Sequence, residues 1–240
     1  MSFISACAHR VIETLYPPLC MSCGAETFAA NGLCPACWPE AEFVHGLACT
    51  TCGTPLIGEG EGYCEECFAD RPPWNDGVAV AVYGATTARM VQAMKHGDRL
   101  ELVPKIGRWM ADATKDIATS KAVVVPIPVH WRRLLSRRYN LAALLGEEVA
   151  RHLNLEFAPR ALHRVQSVTQ QKSMTRDARF ENQKGSMVVA EGADLKGRHV
   201  ILVDDVMTSG ATLRSATEVL QAHGVKAISI SVFARVAPNL

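Results

Sequence analysis

Apolar residues occur along the chain in two kinds of pattern, short runs and longer stretches with a helical period, and the two kinds alternate from residue 78 onwards. The short runs are typical of buried strands, which we predict over 78–83, 122–127, 198–203 and 226–233. The helical periods predict helices over 86–95, from 104, over 141–153 and over 212–222. Strands that alternate with helices predict an α/β fold, a mainly parallel sheet flanked by helices.

The first residues of the chain also have a helical period. One predicted face is apolar and carries Phe3, Ile4, Cys7, Val11, Ile12 and Leu15. A secretory signal would have a basic start and a longer apolar core, and no run in the sequence is long enough for a membrane span. We therefore expect residues 1–19 to form a docking helix of a cytoplasmic protein. Surface contact with a membrane is the alternative.

Eight of the nine cysteines fall into four Cys-x-x-Cys pairs, at Cys20/Cys23, Cys34/Cys37, Cys49/Cys52 and Cys64/Cys67. This spacing lets both thiolates of a pair face one tetrahedral zinc ion, so four pairs supply two complete structural sites. Glycine follows the first and the third pair, as Gly24 and Gly53. This alternation favours two consecutive zinc ribbons over 20–37 and 49–67. In the alternative, a cross-braced arrangement, the first pair shares its metal with the third.

Other uses of these thiols fit the pattern less well. Disulfide frameworks are typical of secreted proteins, whereas thiols stay reduced in the cytosol. Redox chemistry of the thioredoxin type needs one pair and not four in close succession. The cysteine region has few apolar residues, so zinc would supply much of its folding free energy, on the order of 10 kcal/mol per site. We expect the remaining cysteine, Cys7, to be a buried apolar side chain.

Charge is distributed unevenly, although the net charge of the chain is only +1. Residues 1–75 contain two basic and nine acidic residues, and residues 76–240 contain 23 basic and 15 acidic ones. An anionic substrate or a nucleic acid is therefore expected to bind the second part of the chain.

The cysteines and the acidic residues of the first part of the chain also indicate how the chain is divided into domains. We expect a double zinc ribbon over 20–71 that contacts another protein or supports a second domain over 78–240. Between them, Pro72 and Pro73 stiffen the chain, and Trp74 can anchor it against a neighbour.

The most informative stretch, 200–213, reads V-I-L-V-D-D-V-M-T-S-G-A-T-L. An apolar run is followed by two carboxylates, Asp204 and Asp205, then by a loop of small and hydroxyl residues and by the start of a helix. Ligands of open α/β sheets bind beyond the carboxyl ends of the strands, and the N–H groups of a loop and helix start favour an anion. The arrangement predicts a site for a phosphorylated sugar. An ordinary strand-to-helix turn with an aspartate cap is the alternative.

This stretch resembles the signature with which type I phosphoribosyltransferases bind phosphoribosyl pyrophosphate. The resemblance implies that Asp204 and Asp205, as the catalytic pair, hold the 2- and 3-hydroxyls of the ribose. It also implies a set of residues that surround the 5-phosphate, namely Thr208, Ser209, Gly210, Ala211 and Thr212. In an enzyme, the acid pair would also offset positive charge that develops on the ribose.

A basic segment over 130–140 follows one of the predicted strands. Guanidinium groups make paired bonds to phosphate oxygens, so we select Arg132 and Arg137 as residues that bind a pyrophosphate or successive phosphodiesters. A solvated basic loop is the alternative. We expect Trp131 to be in the core, and stacking on a base is its alternative.

Two further features could complete the site. Lys95 lies at the end of a predicted helix and is selected as a ligand-binding residue, with a solvated lysine as the alternative. The polar stretch 163–185 could close over a bound sugar or form a disordered surface loop. It includes Gln171, Arg179 and Asn182.

Together these features resemble the ComF family of competence-associated proteins, which combine an amino-terminal zinc finger with a phosphoribosyltransferase-like domain. The resemblance covers nearly the whole chain. Its motifs are Pro17-Pro18-Leu19-Cys20-Met21-Ser22-Cys23-Gly24, Lys95-His96-Gly97, Val125-Pro126-Ile127-Pro128, the spaced set Gln171, Met174, Arg179, Asn182 and Gly185, and the 200–213 stretch. The chain departs from the family where Arg137-Arg138-Tyr139-Asn140-Leu141 replaces Arg-Gly-Phe-Asn-Gln, and where Met207-Thr208-Ser209-Gly210 replaces the more usual Thr-Thr-Gly form.

The resemblance implies a protein that binds phosphoribosyl pyrophosphate with Mg²⁺, or a 5-phosphate sugar, and that handles single-stranded DNA during natural transformation. DNA-uptake or helicase proteins would be its partners. The alternative is an active phosphoribosyltransferase of the glycosyltransferase class, in which a nitrogen nucleophile displaces pyrophosphate. The residues support binding of a phosphorylated sugar more strongly than they support turnover, and they do not identify an acceptor.

Overall fold

A computed structural model describes residues 17–28, 30–58, 62–97, 99–165 and 186–237. Most of the predicted docking helix, with Cys7, and most of the closing segment, with its spaced set of polar residues, lie outside these residues. The backbone of Arg132 is described, but its side chain is not.

A five-stranded parallel sheet forms the centre of the molecule. Its strands are β1 (Asp76–Val82), β2 (Val123–Pro126), β3 (Glu156–Phe157), β6 (His199–Met207) and β7 (Ala227–Arg235). They lie in the order β1-β7-β6-β2-β3. A separate antiparallel pair consists of β4 (Leu162–Arg164) and β5 (Met187–Val189). The predicted α/β class is confirmed, whereas the antiparallel pair was not predicted.

Seven α-helices are present in the described ranges: α1 (Cys37–Glu40), α2 (Glu65–Ala69), α3 (Ala85–His96), α4 (Val103–Thr114), α5 (Trp131–Arg137), α6 (Leu141–Leu153) and α7 (Ala211–Ala222). The predicted periods match α3, α4, α6 and α7 closely. No helix was predicted for the basic segment, but its residues 131–137 form α5, so the solvated basic loop offered as the alternative is wrong in its secondary structure. None of these helices has the length and apolarity needed to cross a bilayer.

Both faces of the sheet are covered, and the two faces have different partners. On one face, α3, α4 and α6 contribute Met90, Ile106 and Leu145 to a core with Ile201 and Phe233 of the sheet. On the other face, α7 and the second cysteine group pack against a second set of strand side chains, whereas Met21 of the first group packs in the core with α3, α4 and α6. Burial on both faces is why β2 and residues 200–203 of β6 are continuous apolar runs rather than alternating ones.

The cysteine region is packed directly on the sheet. Val44 N donates to Val80 O at 2.9 Å, and Val82 N donates to Glu42 O at 2.8 Å, so the segment pairs with the outer edge of β1. Gly53 allows a close backbone approach, because a Cβ there would lie 2.3 Å from Ala79 N. The anchoring predicted for Trp74 is also seen: its ring is buried, and Nε1 donates to a main-chain oxygen of this region.

Candidate functional site

The acid pair lies on β6, at a point where pairing with one neighbouring strand has ended and pairing with the other continues. On one side of β6, pairing with β2 stops at Pro126 and Val203, and on the other side β7 continues alongside as far as Met207. The sequence predicted that the strand ends before Asp204, but pairing with β7 extends it to Met207. Asp204 and Asp205 therefore lie on a rigid strand and also beyond the carboxyl end of its neighbour β2, where ligands of such sheets bind.

Lys95 contacts this acid pair directly. It lies in the last turn of α3, and its Nζ is 2.7 Å from Asp205 Oδ1. The side chains of Lys95 and Asp205 are 22% and 12% exposed, so this ion pair is largely shielded from solvent. Such shielding makes the interaction stronger than that of a surface pair. The structure thus places the lysine selected from the sequence beside the carboxylates selected from it.

The other carboxylate has an unusual proton affinity. Burial raises the pKa of Asp204 to about 7, and the neighbouring charge of Asp205 contributes to the increase. The charges of Lys95 and Arg164 partly counteract this rise in the pKa, as does the Asp205 main-chain N–H, which donates to Asp204 Oδ1 at 2.9 Å. Near neutral pH, Asp204 can therefore exchange a proton, whereas an ordinary aspartate is fully ionised.

A tight loop connects β6 to the start of α7. Gly210 has a φ of 75° and is the N-cap residue of α7. A Cβ at this position would lie 2.9 Å from Met207 Cε and 3.3 Å from the ring of Trp74, so both the backbone conformation and the available space require glycine. Thr208 is exposed, Ser209 and Thr212 are half-buried, and Ala211 is buried. The helix N-terminus supplies free N–H groups and a positive dipole end at the same edge of the sheet.

A buried arginine supports this loop from below, and sequence reasoning missed it. Arg235 is the last residue of β7, and its residue surface is 3% exposed. Its Nη1 donates to the main-chain oxygens of Thr208 and Val236, and its Nη2 donates to Glu66 Oε2 at 2.7 Å. A charged residue at the end of a strand without other charges was the available signal, because such a residue needs a partner when it is buried.

The basic segment lies on the connection that follows β2. Arg137 is half-buried in the last turn of α5, and within the described ranges it forms no ion pair with the acid pair. Trp131, predicted in the core, is 56% exposed. After the helix, Asn140 accepts from Ala142 N at 3.1 Å and donates to Ile127 O at 3.0 Å. The segment is thereby attached to the carboxyl end of β2, at the same edge of the sheet as the acid pair.

The eight paired cysteines form two groups in sequence order, Cys20/Cys23/Cys34/Cys37 and Cys49/Cys52/Cys64/Cys67. Two Sγ–Sγ distances across the pairs are 3.7 and 3.6 Å. Four sulfurs about 2.3 Å from a tetrahedral zinc ion would be about 3.8 Å apart, so the thiols fit this metal. The consecutive ribbons are confirmed, and the cross-braced alternative is wrong. Four thiolates leave no open position, which is typical of structural zinc.

Two protein families match the chain. The double zinc ribbon domain matches residues 11–68, and the phosphoribosyl transferase domain matches residues 98–238. Together they cover both zinc groups, the acid pair and the loop, while Lys95 lies between the two matched ranges.

Relatives extend this similarity over almost the whole chain. Competence protein F of Haemophilus influenzae is 27% identical over 223 residues, which are 90% of this chain and 96% of that protein. DNA utilization protein YhgH of Escherichia coli K12 is 24% identical and covers 89% of this chain and 95% of its own length. Competence protein ComFC of Bacillus subtilis is 24% identical, with 84% and 82% covered.

Proposed function

We propose a function for this chain from the family to which it belongs, the ComF family, in which a double zinc ribbon precedes a phosphoribosyl transferase domain. The chain binds phosphoribosyl pyrophosphate, or another sugar with a 5-phosphate, in the cytoplasm. One observation carries this proposal: Asp204, Asp205, Lys95 and the Gly210 loop converge at one edge of the sheet.

Each group of the site has a role that follows from its chemistry. The acid pair accepts hydrogen bonds from the two ribose hydroxyls, and the loop N–H groups with the Thr208, Ser209 and Thr212 hydroxyls bind the 5-phosphate. Lys95 holds the Asp205 side chain in place through its 2.7 Å ion pair and places a positive charge beside the acid pair. Bound Mg²⁺ would supply charge neutralisation of the pyrophosphate. Arg132 and Arg137 lie on the connection after β2, where they can bind the pyrophosphate.

Calorimetry on the acid pair tests this site. The double variant Asp204→Asn/Asp205→Asn should lose binding of phosphoribosyl pyrophosphate with Mg²⁺ and keep its fold, because the amides retain the shape of the carboxylates. The matched control is Asp112→Asn/Asp194→Asn, which removes two charges elsewhere and should bind like the wild type. Wild-type affinity in the acid-pair variant would refute the site.

We further propose that the chain handles single-stranded DNA; two of its relatives are named for competence and for DNA utilization. The supporting feature is α5, which exposes 56% of Trp131 and 72% of Leu135 within a run of arginines. An exposed ring stacks on an unpaired base, and guanidinium groups contact the phosphodiesters on either side. The acidic zinc ribbons would then be free to contact DNA-uptake or helicase proteins.

The salt dependence of DNA binding tests whether α5 contributes the phosphate contacts. Replacing Arg132, Arg133, Arg137 and Arg138 by alanine should weaken binding of an oligonucleotide and reduce its salt slope, by up to about 0.7 for each phosphate that is no longer neutralised. The control Arg108→Ala/Arg151→Ala removes charges on α4 and α6 that are 61% and 59% exposed. An unchanged slope in the four-arginine variant would remove α5 from the DNA site.

Turnover is the second candidate function, because the match to the phosphoribosyl transferase domain covers the acid pair and the loop. In that reaction a nitrogen nucleophile forms a bond to the ribose carbon while pyrophosphate leaves. Incubation with labelled phosphoribosyl pyrophosphate, Mg²⁺ and a panel of bases tests it. Pyrophosphate release that depends on one acceptor would establish an enzyme, and binding without release would establish a binding protein.

A further inference from the structure

The helix of the second zinc ribbon reaches the underside of the candidate phosphate loop. Glu66 lies on α2 between Cys64 and Cys67, two thiols of one zinc group. Its Oε2 is 2.7 Å from Arg235 Nη2, and the two side chains are 31% and 3% exposed. A charge as buried as that of Arg235 requires a partner, and the ribbon supplies that partner across 169 positions of sequence.

The same guanidinium fixes the orientation of the loop peptides. Arg235 donates to the main-chain oxygens of Thr208 and Met207, and Met207 O also accepts from Val236 N at 2.9 Å. In a trans peptide the C=O and the following N–H point in opposite directions. With these oxygens turned towards Arg235, the N–H groups of Thr208 and Ser209 are turned away from it. Donors oriented in advance bind an anion without the cost of ordering the loop.

Two more contacts join the cysteine region to the loop and to α7. The Trp74 indole donates to Thr51 O at 2.7 Å, and its ring lies against the position that a Cβ of Gly210 would occupy. Arg214, in the first turn of α7, forms an ion pair with Asp70 at 3.0 Å. The floor of the loop is therefore built largely by the second ribbon and the residues that follow it.

We propose that the second zinc ribbon positions the phosphate loop, with Glu66 and Arg235 as positioning residues. Zinc holds α2 in place, α2 holds Glu66, and Glu66 holds the guanidinium that orients the loop. Loss of this zinc or of the Glu66 carboxylate therefore weakens the binding of a phosphorylated ligand, although neither touches it. The inference rests on the proposed function only where binding is measured.

The first zinc ribbon offers an internal comparison. It has its own carboxylate–arginine contact, Glu40 to Arg89 at 3.1 Å, with side chains 57% and 43% exposed. Arg89 lies on α3, and its contacts are with Ser22, Cys37, Glu40 and Thr86. The two ribbons therefore carry similar ion pairs, but only the pair of the second ribbon contacts the loop in the described residues.

Hydrogen exchange of the ligand-free protein tests the positioning role without assuming any ligand. In Glu66→Gln, amides 208–211 should exchange at least about fivefold faster, because the loop opens locally more often, while β6 and β7 remain as protected as in the wild type. Glu65→Gln, on the same helix at an exposed position, and Glu40→Gln should leave the loop unchanged. Equal exchange in all three variants, or faster exchange throughout the sheet, would overturn the inference.

Calorimetry then measures the consequence for binding of phosphoribosyl pyrophosphate with Mg²⁺. We expect about tenfold weaker binding for Glu66→Gln than for Glu65→Gln, since misplacement of binding groups has effects of this order. Arg235→Lys should weaken binding similarly, and the double variant should be no worse than either single one. Wild-type affinity in Glu66→Gln would overturn the inference. If the wild type itself does not bind, the proposed function fails while the exchange test still decides the positioning role.

The zinc ions provide a final comparison. Cys64→Ser should lower the zinc content by one ion and accelerate exchange at 208–211, whereas Cys23→Ser should lower the zinc content equally and leave those amides protected. Zinc content by mass spectrometry confirms that the two variants are matched. The same exchange at the loop in both variants would show that the second ribbon has no particular role there.

Discussion

At the scale of single residues, the site depends on three charges held within one small volume. Lys95 neutralises Asp205 directly, and Asp204 is left with a pKa near neutrality because it is buried beside a second carboxylate. Over part of the physiological pH range, a fraction of the molecules therefore carries a proton on Asp204. Ligand binding through the acid pair should depend on pH.

The first prediction concerns Asp204 and stability. Between about pH 4 and pH 7 the unfolded chain has released this proton while the folded protein retains it, because the folded pKa is about 7. The contribution of Asp204 to the free energy of unfolding therefore falls as pH rises through this interval. Asp204→Asn should be more stable than the wild type at pH 8, by on the order of 2 kcal/mol, and equally stable near pH 4. Urea denaturation at both pH values measures this, and a difference that is independent of pH would contradict it.

The second prediction concerns the pH dependence of ligand binding. Affinity for phosphoribosyl pyrophosphate should increase from pH 6 to pH 8, because ionised Asp204 is the better acceptor for a ribose hydroxyl. The charge of Lys95 lowers the pKa of Asp204, so Lys95→Met should move the midpoint to higher pH. Calorimetry across this range gives the midpoint. An unmoved midpoint, with Lys105→Met as the control, would mean that Asp204 does not control binding.

At the scale of elements, α5 ends in a way that explains one departure from the family pattern. Arg138 has a φ of 66°, and its N–H donates to Leu134 O at 2.7 Å, as in a common helix C-terminal motif. The ComF resemblance places glycine at this position. The arginine thus adopts the left-handed conformation that glycine adopts without steric cost, and the turn keeps its shape at the expense of some strain.

The third prediction follows from this turn. Arg138→Gly should stabilise the protein by about 0.5–1 kcal/mol, the left-handed penalty that is removed less the extra entropy of glycine in the unfolded chain. Arg137→Gly, inside the helix, should destabilise it by about 1 kcal/mol. Thermal or urea unfolding of the two variants measures both effects. Destabilisation by both substitutions would show that the left-handed conformation is not strained.

The sequence predicted best those elements that bury one continuous apolar face. Residues 141–153 were predicted as a helix and form α6 with those bounds, because one continuous apolar face packs on the sheet. β6 is longer than predicted. The charges of Asp204 and Asp205 indicated that the strand ends before them, whereas pairing with β7 extends it to Met207. Sequence periodicity did not reveal α5, in which the described apolar side chains Trp131, Leu134 and Leu135 are exposed. Pairings between distant segments, such as the cysteine region with β1, leave no local periodicity.

At the scale of the whole molecule, the candidate site could be predicted only in part. The acid pair, the loop and Lys95 lie in recognisable motifs, and the structure brings them together. Arg235 and Glu66 lie in no motif, and their contact depends on how the cysteine region packs on the sheet. Two consecutive zinc ribbons were predicted from cysteine spacing, whereas their role as part of the core was not.

The fourth prediction concerns zinc and the whole molecule. Native mass spectrometry should find two zinc ions per chain, one for each group of four thiols. Because Cys49, Cys52 and Cys67 are buried in the same core as Trp74, chelation should shift tryptophan emission to longer wavelength and destabilise the fold by several kcal/mol. Trp74→Phe should remove most of this shift, while Trp38→Phe, at a site 57% exposed, should not. Emission that is unchanged after complete zinc removal would contradict the integrated core.

The pairing of residues 42–44 with β1 has a consequence for any shortened form of this protein. A chain that starts at residue 72 would leave the N–H and C=O groups of an outermost strand unsatisfied, beside a patch of newly uncovered apolar side chains. Such a strand recruits a second copy of itself. The transferase-like domain, expressed alone, should therefore self-associate or precipitate and should not keep the solution behaviour of the full chain.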